Sequence, residues 1–110
     1  MKPQSNIFVY IELDKLVENL TLNPLRSKQY LKSQAGRFGL IPIRYFSAKL
    51  SGEWLNITKT LNISEPNRHN KIKNTRNAAV DSIDQMSPQE CQELTLKICD
   101  LFEKVKLEFM

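Results

Sequence analysis

In the last third of the chain Cys91, Leu94, Ile98, Leu101, Val105 and Phe109 recur at intervals of three and four residues, with Phe102 widening the stripe. Gln92, Glu93, Lys97, Asp100, Glu103 and Lys104 take the other faces, which is the spacing of an amphipathic helix over roughly residues 88–108. Its start is marked by Ser87-Pro88-Gln89-Glu90, with a serine N-cap, a proline at the first helical position and a glutamate placed to return the capping hydrogen bond. Upstream, over residues 70–85, Ile72, Ala79, Ile83 and Met86 share one side while Lys71, Lys73 and Asn77 point outward. Met86-Ser87-Pro88 then makes the short connection of an antiparallel helical hairpin.

In the first half the pattern is less regular. Tyr10, Leu13, Leu16, Val17 and Leu20 follow helical spacing, although the β-branched and aromatic run Ile7 to Ile11 is equally the start of a strand; helix is the expectation. Asn23-Pro24 reads as an N-cap and first-position pair opening a basic helix through Lys28, Lys32 and Ala35, ending near Gly36. Phe38 to Leu50 is mostly apolar, with Pro42 near its start, and predicts a short helix, with a strand the close alternative, that Ser51-Gly52 breaks. Trp54 to Leu61 adds one or two turns, with Trp54 in the core, before a polar loop from Ser64 to Asn70. The expectation is a small all-α bundle of about five helices with short loops, and 110 residues make it a single domain.

Composition adds little to this, but the distribution of charge adds more. Hydrophobic residues at 41% and charged residues at 25% suit one ordinary core. The formal charge is +4, yet residues 1–20 carry a net −1, residues 21–80 a net +9 and residues 81–110 a net −4. A basic middle between acidic ends predicts a polyanion-binding footprint on the middle segment. Its candidate contacts are Lys28, Lys32, Arg37, Arg44, Lys49, Lys59, Arg68, Lys71, Lys73 and Arg76. The expected partner is RNA or single-stranded DNA, held by its backbone, because phosphate contacts give affinity without base readout.

Enzymatic chemistry is sparse. Asp81 with Asp84 and Glu90 with Glu93 sit at helical surface spacing near expected helix N-termini, where they oppose the helix dipole instead of forming an acid/base pair. His69 is the one histidine, in a loop crowded by Arg68, Lys71 and Lys73, and suits a phosphate contact better than a catalytic base. Cys91 and Cys99, eight residues apart on one helix, lie about 12 Å apart and cannot pair. Two unpaired thiols, no metal-ligand spacing, no phosphate-cradling glycine loop and no long apolar run predict a cytoplasmic, cofactor-free, non-catalytic protein without a membrane partner.

Residues 29–62 carry a Tyr30 and Lys32 helix, then Gly39-Leu40, Phe46 seven residues after that glycine, Lys49 ten after it, and Trp54 beyond. This arrangement resembles the small-subunit family of type III CRISPR effector complexes and their type I counterparts. The resemblance covers about a third of the chain; residues 1–25 and 65–110 match only in being helical. It implies an all-helical, non-catalytic subunit that stacks in several copies along a ribonucleoprotein filament and cradles guide and target strands on its basic face. Two other stretches point elsewhere. Arg76-Asn77 with Asp81 five residues after the arginine faintly resembles the Arg-Asn-x-x-x-His signature of the HEPN ribonuclease superfamily, with Asp81 in the histidine's place, which implies an inactive relative. Thr58 to Ser64 loosely follows a helix-turn-helix turn, with Asn62 in place of the usual glycine. The alternative function is a small phage- or plasmid-borne regulator or inhibitor docking on a protein.

Overall fold

The computed structural model describes residues 5–63 and 72–109, with side chains from residue 76 onward in the second stretch. These residues form five α-helices and no strand: α1 (Ile7–Glu18), α2 (Ser27–Ser33), α3 (Ala48–Thr60), α4 (Ile72–Asp84) and α5 (Pro88–Leu107). The protein is a small all-α bundle. Helix α5 is central, with α1, α2 and α3 all packed on it, while α4 lies on α2 and on a 3-10 turn at Ala35–Gly39.

The ends of the helices follow from local chemistry. Ser87 Oγ accepts from Glu90 N at 3.1 Å and Glu90 Oε1 accepts from Ser87 N at 2.9 Å, the full capping box. The bond from Ser87 N, and after it the Ser87 hydroxyl, hold the Glu90 carboxyl below its ordinary range. Residues Ile7 to Ile11 are helical, not extended, because Asn6 Oδ1 accepts from Phe8 N at 2.8 Å and Val9, Leu13 and Leu16 turn inward together. At the end of α3, Asn62 takes φ 57°, the left-handed position where glycine is usual, so that Asn62 N reaches Lys59 O and Ile63 N reaches Thr58 O.

Three expectations along the first half are corrected. The pair Asn23-Pro24 does not open a helix: Asn23 O accepts from Arg26 N and Ser27 N in a β-turn, and α2 begins only at Ser27. Asparagine followed by proline suits that turn as well as it suits a helix start. Phe38 to Leu50 is not one helix. It holds the end of the Ala35–Gly39 turn, extended Pro42, a second 3-10 turn at Ile43–Tyr45 and the first residues of α3. Nor does Ser51-Gly52 break anything; both lie inside α3, where Gly52 faces outward with nothing near the Cβ it lacks.

The indole of Trp54 is what residues 38–46 wrap. It is 1% exposed and lies between the rings of Phe38 and Phe46, with centroids 6.1 and 5.2 Å away and interplanar angles of 22° and 26°. Its Nε1 donates to Ile41 O at 3.1 Å, so the irregular backbone also satisfies the one polar atom of the buried ring. The thiols do not pair: Cys91 is buried and Cys99 half-buried, so only one of the two lies fully on the inner stripe. Burial pushes both thiols above their ordinary pKa.

Candidate nucleic-acid interface

The predicted basic residues divide by what already holds them. Lys28 and Lys32, one turn apart on α2, converge on the last residue of α4: Lys28 Nζ donates to Asp84 O at 3.1 Å and Lys32 Nζ meets Asp84 Oδ1 at 2.6 Å. Asp84 therefore ends α4 and, contrary to the expectation from its spacing, does not lie near a helix N-terminus. There its charge opposes the dipole unfavourably, and the two ammonium groups offset it. Arg37, in the Ala35–Gly39 turn, donates Nε to Gln34 Oε1 at 2.8 Å and lies 3.4 Å from Glu12 on α1. Glu12 is 8% exposed, and its carboxylate lies between Arg37 and Lys15.

The remaining described candidates stand outward. Arg44 is exposed, its guanidinium carbon 5.2 Å from the centroid of the Tyr45 ring. Lys49, exposed in the first turn of α3, lies near enough to Glu108 to favour that carboxylate's charge. Lys59, exposed in the last turn of α3, complements the dipole end. Arg76 is exposed on α4, and its Cδ passes 3.8 Å from the position a Cβ on Gly36 would take, so its stem crosses the Ala35–Gly39 turn. Lys59 and Arg76 enter no ion pair among the described residues. Lys73 belongs to α4 by its backbone, one turn before Arg76; Arg68, His69 and Lys71 lie outside the described residues.

Sequence reasoning missed one cation. Arg26 contributes to the basic charge of the middle segment but not to the candidate contacts; it stands exposed immediately before α2. The signal for it was the turn itself, since proline at the second position of a β-turn presents the residues after it to solvent.

The acidic face of α5 does different work. Lys104 Nζ lies 3.1 Å from both Glu53 carboxylate oxygens and 3.2 Å from Asp100 Oδ2, which raises the Lys104 pKa, chiefly through the Glu53 bond. These groups lie beside a shallow groove between α3 and α5 lined by Glu53, Asn56, Ile57, Lys97 and Asp100. Its carboxylates are drawn to one lysine, an arrangement that neutralises charge and does not set an acid against a base. Among the described residues no three His, Cys, Asp or Glu side chains gather as metal ligands, and no helix is long and apolar enough to cross a membrane. Arg76, Asn77 and Asp81 are all exposed on α4. No family model, curated protein or solved structure matches the chain.

Proposed function

We propose that the chain is a non-catalytic helical subunit of a nucleoprotein assembly, of the kind the CRISPR small-subunit resemblance implies, and that it holds nucleic-acid backbone through lysine and arginine. The observation that supports this reading is the exposure of Arg44, Lys49, Lys59 and Arg76 on a bundle whose exposed carboxylates concentrate on α5 and the end of α4. Cations carried on the turns, α3 and α4 suit a strand followed by its phosphates better than a base edge read by one helix.

The test is a salt titration of binding to single-stranded RNA and DNA. Neutralising one cation that touches phosphate should lower the slope of log affinity against log salt by about 0.7 on single strands. The double variant Lys59→Gln with Arg76→Gln should therefore flatten the slope by about 1.4 and weaken all sequences alike. Lys97→Gln with Lys106→Gln removes the same net charge from α5 and should leave the slope in place. Equal weakening in the two double variants, or binding indifferent to salt, would remove the reading. A protein contact has its own support: Ile7 (55% exposed), Phe8 and Ile11 (45%) leave an apolar strip on the outside of α1, the kind of surface that subunits of an assembly use.

A further inference from the structure

Leu25, in the connection between α1 and α2, is 89% exposed, more than any other large apolar side chain described. The turn that carries it is pinned at every residue around it. Asn23 O accepts from Arg26 N at 3.0 Å and from Ser27 N at 2.8 Å, and Asn23 Oδ1 accepts from Leu25 N at 2.9 Å. Thr21 Oγ1 accepts from Asn23 N at 3.2 Å, and Gln92 Nε2 on α5 donates to Leu22 O at 2.8 Å. Pro24 fixes its own φ at the second position of the turn. Single apolar residues on a surface are ordinary. A leucine presented by a hydrogen-bonded turn, with Leu22 half in water behind it and exposed Pro24 beside it, is a preformed knob that contributes nothing to this chain's own core.

Charge indicates what the knob meets. Residues 19–52 contain no aspartate or glutamate and six basic side chains, Arg26, Lys28, Lys32, Arg37, Arg44 and Lys49. Arg26 adjoins Leu25, is exposed, and enters no ion pair among the described residues. The carboxylate of Glu90, whose charge Lys28 senses, is already taken up in the capping box with Ser87. An apolar tip with an exposed cation beside it matches a strand of nucleic acid, where bases offer apolar faces and the phosphate between them is anionic. A wedge must unstack and kink a duplex step, whereas a single strand is already loosely stacked, so one leucine enters it at lower cost.

We infer that Leu25 inserts between neighbouring bases of a single strand while Arg26 holds the phosphate of the same step. The inference rests on the backbone-binding reading above and adds a contact to the bases that is tolerant of sequence. The experiment uses the full chain with a short deoxyadenosine-rich strand carrying 2-aminopurine, whose emission rises on unstacking, and a terminal dye whose anisotropy reports binding. The wild type should bind and raise the emission. Leu25→Ser should bind with the same salt slope but lose the rise, and should melt with the wild type because the leucine buries nothing. Arg26→Gln should keep the rise at saturation and flatten the slope by about 0.7. If the wild type binds without raising the emission, or Leu25→Ser binds and unstacks the strand as the wild type does, the wedge is wrong, while backbone binding stands. If the wild type binds no strand at all, both readings fall.

Discussion

The surroundings of Trp54 and the meeting of Lys28 and Lys32 with Asp84 between α2 and α4 both join distant parts of the chain, and they are held by opposite means. Around Trp54 the contact is apolar and closed: Phe38, Phe46, Ile41, Leu50 and Ile57 are each at most 5% exposed. At the α2–α4 junction the specific contacts are Lys28 and Lys32 on Asp84, and the Lys32–Asp84 pair leaves 38% and 48% of its side chains in water. Area removed from water is what stabilises a fold of this size, and exposed ion pairs contribute little. The bundle is therefore anchored where it carries no charge, while its cations sit where rearrangement costs least.

The largest effect expected from this contrast is at the indole. Trp54→Ala should lower stability by about 3 to 5 kcal/mol, the range for deleting a large buried aromatic, with the Phe38 and Phe46 rings left facing a cavity. Chemical denaturation measures it, and a change under about 1 kcal/mol would mean that the stack is not the anchor.

A polar clasp comes next, intermediate between the two regions. Ser5 donates N and Oγ to Glu108 Oε1 at 2.9 and 2.7 Å, Ser47 Oγ donates to Oε2 at 2.6 Å, and Ser47 N donates to Ser5 Oγ at 3.1 Å. Burial alone would raise the Glu108 pKa, but the bonds from Ser47 and Ser5, helped by Lys49, outweigh it and hold the carboxyl below its usual value of 4.5. A depressed carboxyl stabilises the fold at pH above its unfolded value, and that contribution fades as pH falls through the lowered folded value. Glu108→Ala should cost about 1 to 3 kcal/mol at neutral pH, leaving the hydroxyl donors of buried Ser5 and Ser47 and the Ser5 N–H without their acceptor. The gap to the wild type in thermal melts should narrow as pH falls below 4.5. A gap that stays constant with pH would show that the charge of Glu108 plays no part in the clasp.

These two sites also mark what the sequence could and could not disclose. Helix α5 was legible because its signals are local: Ser87, Pro88 and Glu90 fall within four residues, and the stripe from Cys91 to Val105 repeats without interruption. Trp54 was legible as core for its size and apolarity. Residues 35–47 were not, because their turns are set by what they wrap. Phe38, Ile41 and Phe46 reach Trp54 from a backbone with no period of its own. Gly52 misled for the opposite reason, as a glycine on an outward face interrupts nothing. In the candidate interface the cations could be counted, but their partners could not be foreseen: Asp84 lies 52 residues from Lys32 and Glu12 lies 25 from Arg37.

The smallest effect is expected where function is proposed. A double-mutant cycle with Lys32→Gln and Asp84→Asn should give a coupling below about 1 kcal/mol, as exposed pairs do, and raising the salt should shrink it further. Asp84→Asn alone should change stability little, because losing the bridge is offset by relief of an unfavourable charge at the C-terminal end of α4. The same substitution tests the link to binding. With Asp84 neutral, Lys32 no longer faces a competing carboxylate, while Lys28 keeps its bond to the backbone oxygen of residue 84, so the variant should bind single strands more tightly than the wild type at low salt. A coupling well above about 1 kcal/mol would make the α2–α4 junction as much an anchor as the Trp54 stack. Unchanged affinity in Asp84→Asn would place Lys32 outside the phosphate contacts and leave those to the cations that Asp84 does not hold, Arg44, Lys49, Lys59 and Arg76 among them.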